Sequence, residues 1–384
     1  MTIVPFSGSY AADDVQFLLR QLPAQQFTSV ADKEALIQSG RKHYSEMLSP
    51  ESLPSQRYLQ VFDDACAANL AQMARDCLVL TGMIAARRTG DVTLVSLARA
   101  GTPVGVIVRR LLAQRFGRAA VHYSVSIARD RGIDAVALRH IVQHHAPESI
   151  VFIDGWTGKG VISRELAQSV AAFNLAHGTA IDSGLYVLSD LAGSAACAAS
   201  EADYLIPSSI LNATVSGLVS RTVVGAPDQL HGSVYYEQFA PHDRSRSFVD
   251  AATAAALALI DAAPPAATLA LTVALLPAAT QGRPVVIPPV AALDRAAAAA
   301  TSTACLARLQ QEYDVADVNL IKPGIGEATR VLLRRVPRLL LVRDPGAADV
   351  RHLTLLGQEK NVPVIIDQSL PYQAVSLIRS ALDG

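Results

Sequence analysis

The sequence predicts an α/β protein, a parallel sheet covered by helices and followed by a second, small α/β unit. Three observations carry this expectation. Short apolar runs alternate with stretches of helical period between residues 91 and 206, the pattern of a sheet buried on both faces. An Ala/Pro-rich segment at 251–300 breaks that alternation. From residue 301 the alternation resumes and runs to the C-terminus.

Taken in order, residues 1–60 are mixed in character and are expected to form an N-terminal extension or hood, with a helix around Val15–Leu22. A helix follows at 61–86, where Val61, Cys66, Leu70, Met73 and Leu78 stand near helical spacing. Val92–Leu97 reads as a strand, and Val104, Ile107, Val108, Leu111 and Leu112 mark the next helix. Further strands are expected at Ala120–Ile127, Ser149–Ile153, Leu185–Leu188 and Tyr204–Ile206. A helix marked by Ile162, Leu166, Val170 and Phe173 lies between the second and third of these. Cys197 falls in an Ala-rich stretch with helical character. The main domain is thus expected over 61–250 and a connecting region over 251–300, with Pro pairs at 264–265 and 288–289. The small unit, 301–384, reads as helices at 301–312, 326–335, 347–360 and 371–382 and strands at 338–343 and 362–366.

The 384 residues are 51% hydrophobic and 17% charged, enough to bury a sizeable core. A net charge of −1 excludes whole-chain attraction to nucleic acid, so contact of that kind needs a local basic patch. Cys66, Cys77, Cys197 and Cys305 are scattered, with neither a CxxC pair nor zinc-ligand spacing, and read as reduced thiols of a cytoplasmic protein. The first ten residues lack the basic and apolar regions of a signal peptide. The apolar stretch 251–280 is interrupted by Asp261 and Pro264-Pro265, so no membrane span is expected.

Three loops follow strands of the parallel sheet, where open α/β sheets bind ligands. The first is Ser96-Leu-Ala-Arg-Ala-Gly-Thr-Pro103. Gly101 permits close backbone approach there, the next helix offers free N–H groups to an anion, and Arg99 adds a positive fork. An ordinary strand–helix turn accounts for the same residues. The second loop, within His122–Asp134, sets Arg129 and Arg131 around Asp130, either to close over a polyanion or simply as a solvated turn. The third is Val151-Phe-Ile-Asp-Gly-Trp-Thr-Gly-Lys-Gly160. A phosphate there meets backbone N–H groups, the Thr157 hydroxyl and the helix dipole, while Asp154 suits sugar hydroxyls or a Mg²⁺ ion held through water. The nucleotide P-loop is excluded, because it needs four residues between its glycines and Ser/Thr after the lysine.

The order of the three loops resembles the type I phosphoribosyltransferases. The resemblance implies that Thr157, Gly158, Lys159 and Gly160 hold a 5′-phosphate, and that Asp154 faces the ribose and Mg²⁺. Arg99, Ala100, Gly101 and Thr102 would meet pyrophosphate. The sequence departs from that pattern in two ways, with Gly155 in place of a second acid and a loop one residue short. Ser96–Gly105, Arg129–Asp134, Asp154–Gly160 and Ser216-Gly-Leu-Val-Ser-Arg-Thr222 are similar to a narrower group. These are the phosphoribosyltransferase-like, StiP-type proteins of bacterial tellurium-resistance and stress operons. A second wall of the site is expected from Asn212, Ser216, Ser220, Arg221, His231, Tyr235 and Tyr236.

The expectation is then an enzyme that binds phosphoribosyl pyrophosphate or a related ribosyl phosphate with Mg²⁺, in a nucleoside-like biosynthetic pathway linked to stress. A nucleophile displaces pyrophosphate, and Arg99, Arg129, Arg131 and Asp154 carry catalysis by positioning and charge stabilisation. A homodimer is an expected assembly. The alternatives are a non-enzymatic nucleotide- and RNA-binding stress protein, and a cysteine protease. The last requires a thiolate beside a histidine, and none of the four cysteines has local nucleophile wording; His231 or His242 reaches one only through the fold.

Residues 315–384 resemble Pelota-like RNA-binding domains through Gly324-Ile-Gly-Glu-Ala-Thr-Arg330, Leu339–Val342 and Leu353–Val364. Gly326 stands where that family has Asn and Arg330 where it has Lys, which removes a base-edge contact. Lys322, Arg330, Arg334, Arg335 and Arg338 form a basic cluster suited to RNA phosphates.

Overall fold

The computed structural model describes residues 3–23, 44–48, 50–261, 294–335 and 337–379. Six parallel strands build the main sheet in the order β1-β4-β3-β6-β7-β8: β1 Gln16–Leu18, β3 Val92–Ala98, β4 Ala120–Ala128, β6 Ile150–Thr157, β7 Leu185–Asp190 and β8 Cys197–Ser200. A short strand, β5 at Gly132–Ile133, runs antiparallel on the end of β4. Two small strands, β2 at Arg20–Gln21 and β9 at Gly232–Ser233, pair beside the sheet.

Helices cover both faces: α1 Gln56–Arg87, α2 Gly101–Arg115, α3 Ala135–His144, α4 Val161–His177 and α5 Ser245–Asp261. The long helix α1 starts where Ser55 accepts a hydrogen bond from the Tyr58 N–H, an N-cap that satisfies one orphan donor. On one face of the sheet α1, α2 and α5 pack on Leu94, Val151, Ile153 and Leu188. On the other, α3 and α4 cover Val95, Leu97, Val125, Phe152 and Val187. Burial on both faces keeps these strands largely apolar, and the polar positions they do carry, Thr93, Ser96, His122, Ser124 and Ser126 among them, are buried and hydrogen-bonded.

The chain passes from β3 to β4 on one side, then crosses to β6 on the other. The strand order reverses between β3 and β6, and a crevice opens there at their carboxyl ends. Gly101 seals the base of the crevice, since a Cβ at that position would lie 2.4 Å from the Ile153 carbonyl oxygen.

The C-terminal unit holds α6 Arg295–Glu312, α7 Ile325–Arg334 and α8 Arg351–Glu359 around a four-stranded sheet in the order β10-β13-β11-β12. Its strands are β10 Ile321–Pro323, β11 Pro337–Val342, β12 Val364–Ile366 and β13 Ala374–Ile378. It is seated on the main unit. Arg57 pairs with Glu359, and the Tyr58 hydroxyl donates to the Leu333 carbonyl. The Asp203 carboxylate accepts the N–H groups of Ile325 and Gln373 at 2.8 and 2.7 Å. Helix α7 has no side-chain cap of its own, so its first turn is capped from the other unit.

Several local expectations are corrected. Val15–Leu22 forms β1 and β2, because Phe17 and Leu18 are completely buried and Gln16–Leu18 extends the sheet beside Tyr123–Val125. Cys197 lies in β8, where pairing with Tyr186–Ser189 overrides the helical preference of its alanines. Tyr204–Ile206 is buried without being a strand. Residues 374–378 are a strand, and they fill the gap between β10 and β11. The alanine run at 296–300 belongs to α6, and 251–261 belongs to α5; the Pro pairs fall outside the described residues. Among the described residues no helix is long and apolar enough to cross a membrane.

Candidate functional site

The crevice at the ends of β3, β4 and β6 leads to a cavity of about 190 Å³ closed on its far side by the C-terminal unit. Ala100, Arg129, Asp154 and Trp156–Ser163 line it from the main unit, and Lys322, Pro323, Glu327 and Arg330 from the other. Strand β6 carries Asp154 to the cavity and turns at Thr157. Gly160 then opens α4 in the left-handed region, at φ 66°, where a Cβ would lie 2.8 Å from that of Ser194. No side chain caps α4, and its first residues, Val161–Ser163, line the cavity.

Of the residues expected to act, Arg129, Asp154, Thr157, Gly158, Lys159 and Gly160 meet at this cavity, joined by Ala100. The Arg129 guanidinium donates to Asn319 Oδ1 at 3.0 Å, and Lys159 Nζ donates to the Val318 carbonyl at 2.8 Å. Both bonds cross to the C-terminal unit. Thr157 turns inward and bonds to Asp190, whose carboxylate also accepts the N–H groups of Ser194 and Ala195. Its hydroxyl holds the loop in shape and is buried.

The other expected residues lie elsewhere. Arg99 is tied to Glu51 at 2.6 Å and to the Val219 carbonyl at 3.0 Å, in a mostly buried pair. Glu51 also accepts the N–H groups of Ala213 and Arg221 and gives its own N–H to the Tyr236 hydroxyl. Thr102 is fully buried, its hydroxyl 2.8 Å from that of Ser124. Arg131 pairs with Glu46 at the surface. Ser216, Ser220 and Arg221 hold the 212–221 loop together, with Ser216 bonding to Asn212, Ser220 to Val234, and Arg221 to Met47. The ring of Tyr236 stacks on Phe239, and His231 bonds to Ser126. This segment is a packed loop that anchors Met47 and Glu51, and none of its residues lines the cavity.

Burial pushes the Asp154 carboxyl up to about 7, against the pull of its bond from the Gly155 N–H and of nearby Arg330. Lys159 is lowered to about 8, first by burial and then by Lys322 and Arg129. Glu327 goes the other way, held low by Arg330 and Lys322 in spite of its burial. No group of three or more His, Cys, Asp or Glu side chains able to hold a metal ion occurs among the described residues. The cavity's two carboxylates, Asp154 and Glu327, stand among four cations, a poor match for Mg²⁺, which binds through carboxylates and phosphate oxygens.

Sequence reasoning did not find Trp156, Glu327, Glu51 or Asp203. Lys322 and Arg330 were visible as part of a basic cluster, but the cluster divides. Those two line the cavity, Arg338 bonds to the Tyr313 carbonyl, and Arg335 points to solvent.

The four thiols are free. Cys77, Cys197 and Cys305 are buried, and Cys66 is partly exposed on α1. Burial raises the thiols of Cys66, Cys77 and Cys305. His231 is committed to Ser126, and His122 to Ser96 and the Asp14 carbonyl.

Comparison with known proteins gives two family matches. Residues 8–253 match the family described as tellurite-like stress resistance cysteine protease StiP, and residues 300–380 match the PELOTA RNA binding domain. A relative named cysteine protease StiP, from Acinetobacter baylyi (strain ATCC 33305 / BD413 / ADP1), is 38% identical over 393 residues, covering 99% of this chain and 96% of its own length. The stress-resistance and Pelota resemblances stand. The expectation of a phosphoribosyl- or glycosyltransferase is overturned, because all three loops lie in the segment that matches a cysteine protease family. The cavity accords with that correction, since the second acid is absent and Arg99 is engaged with Glu51.

Proposed function

Because the chain belongs to the tellurite-like stress resistance cysteine protease StiP family, we propose that it is a stress-resistance cysteine protease with a C-terminal RNA-contacting module. The observation that carries the first part is the exposure of Cys66, the one thiol of the four that solvent reaches. A thiol protease needs a thiolate to attack the peptide carbonyl. It also needs a base that takes the thiol proton and returns it to the leaving amine, after which water hydrolyses the thioester.

Cys66 lies within electrostatic reach of Arg244, which favours the thiolate. Burial and Asp63 oppose it and lift the thiol to about 12. The resting thiol is therefore protonated at neutral pH, and this reading makes the resting arrangement a latent one. His242 is exposed two residues before Arg244 and is the base that the reading assigns. The four free cysteines suit a reducing, cytoplasmic location. The fold remains a separate matter from the chemistry. The order of the loops around the reversed strand pair supports a phosphoribosyltransferase-type scaffold used for another purpose.

Hydrolysis of a denatured protein substrate by the full chain tests the reading. Loss of activity on alkylation, in Cys66→Ala and in His242→Ala supports it. Activity that survives Cys66→Ala overturns it. For the C-terminal module, the match of residues 300–380 supports RNA contact. Binding of an RNA oligonucleotide that weakens steeply with salt, and further in Arg335→Gln, is the expected result.

A further inference from the structure

The face of α7 that carries Arg330 is turned toward the main unit. A Cβ at Gly324 would lie 2.7 Å from the Leu191 side chain, and Ile325 gives its N–H to Asp203 at 2.8 Å. A Cβ at Gly326 would lie 3.8 Å from the Trp156 ring. One turn on, the Arg330 guanidinium lies 4.5 Å from the centroid of that ring and donates to the Ser209 carbonyl at 3.1 Å. Of the basic cluster's cations whose side chains are described, Lys322 and Arg330 are thus drawn between the units, and Arg338 is engaged with the Tyr313 carbonyl. Arg335 alone is exposed. We propose that docking of the C-terminal unit on the main unit and RNA contact through this face of α7 exclude one another, so that the closed chain holds its RNA-contacting module masked. The inference rests on the reading of residues 300–380 as RNA-contacting.

The chemistry of the docked surface supports competition. Proteins meet RNA through its phosphates, through bases stacked on aromatic rings or guanidinium planes, and through acceptors on base edges. The main unit offers α7 the same three kinds of group, in the Asp203 carboxylate, the Trp156 ring and the Ser209 carbonyl. Arg330 has no face free for a base on the side where it lies against Trp156, and the Asp203 carboxylate repels a phosphate from the start of the helix. Two further bonds hold the units closed, from Arg129 to Asn319 and from Lys159 to the Val318 carbonyl. The populations then set the affinity. With about nine-tenths of the chains docked, the apparent affinity for RNA falls about tenfold below that of the released module. By reciprocity, bound RNA weakens docking by the same factor.

Ser209 and Gly326 offer a place for a lock. A Cβ at Gly326 would lie 3.9 Å from that of Ser209, within the span of about 3.5–4.5 Å that a disulfide bridges. The experiment uses the full chain carrying Ser209→Cys, Gly326→Cys and Cys66→Ala. Anisotropy of a fluorescein-labelled RNA oligonucleotide reads binding by the oxidised and the reduced form at one salt concentration. The reduced form should bind, and the oxidised form should bind about tenfold more weakly or not at all. Trp156, the chain's single tryptophan, gives a second readout in the wild type. Saturating RNA should shift its emission to the red as Arg330 leaves the ring. This measurement needs no substitution and decides the matter even where the cross-link does not form. Equal affinity in the two forms, or an unshifted emission in RNA-bound wild type, overturns the proposal and leaves the RNA-contacting reading standing. Binding by neither the wild type nor the reduced variant overturns that reading, and the proposal with it.

Discussion

The guanidinium of Arg330 lies over the ring of Trp156 with its central carbon 4.5 Å from the centroid, so a cation of the C-terminal unit stacks on an aromatic of the main sheet. The same guanidinium donates to the Ser209 carbonyl at 3.1 Å and pairs with Glu327. One side chain thus ties helix α7 to two segments of the other unit.

Replacing it should be visible without any ligand. Arg330→Leu removes the stack, worth about 0.5–2 kcal/mol, and uncovers Trp156. Emission of the single tryptophan should shift to the red, and the shift should equal that of Trp156 in chemically unfolded chain only if the units separate fully. An unchanged spectrum would show that the stack is absent in solution.

Asp154 predicts a pH dependence of stability. Its carboxyl is raised from 3.8 to about 7 in the folded chain, so the folded state holds the proton more tightly than the unfolded one. The contribution is complete below the unfolded value and is lost as pH rises through about 7. Asp154→Asn keeps the neutral shape. Its unfolding free energy from urea titration should lack this decline, and near pH 8 it should exceed that of the wild type by roughly 2–4 kcal/mol. A decline of equal steepness in the variant would remove Asp154 as its source.

Glu51 predicts a structural loss. Its carboxylate holds Arg99 and two backbone N–H groups of the 212–221 loop. Glu51→Ala leaves a mostly buried guanidinium without its carboxylate and should cost about 3–5 kcal/mol in denaturant unfolding. A loss under about 1 kcal/mol, the scale of an exposed pair, would mean that the pair is solvated.

Thiol reactivity should be graded. With a chromogenic disulfide reagent, Cys66 should react in the native protein, and slowly, because burial and Asp63 keep it protonated. Cys77, Cys197 and Cys305 should react only on unfolding. Cys66→Ala should abolish the native phase and leave three thiols to be counted in denaturant.

Much of the main sheet was legible because its strands are buried on both faces and read as short, mostly apolar runs between helical stretches. The glycine-rich loop was legible because Gly160 takes a left-handed backbone that favours glycine and Asp154 is a carboxylate at the end of an apolar strand. Residues 374–378 and Cys197 were misread for one reason. Short segments such as Cys197-Ala-Ala-Ser200 carry weak local preferences, and the strands beside them decide their state. Arg99 was misread because its partner, Glu51, is distant in sequence and stands in a polar stretch with no period. The far wall of the cavity was illegible for a similar reason. Lys322, Glu327 and Arg330 belong to a second unit, and no local pattern records which face of α7 meets the first. The chemistry was misread more deeply, because loops that suit phosphate do not state what reaction, if any, follows.

Asp203 belongs to the main unit, yet it supplies the cap for helix α7 and a hydrogen bond to Gln373 beside β13. Each unit therefore ends in a surface that the other completes, although the chain between them runs through residues 262–293. Two polypeptides cut in that stretch and expressed together should find one another and rebuild the cavity by fragment complementation. Replacing Asp203 with Ala should weaken that reassembly while leaving the intact chain, held by its own tether, far less affected.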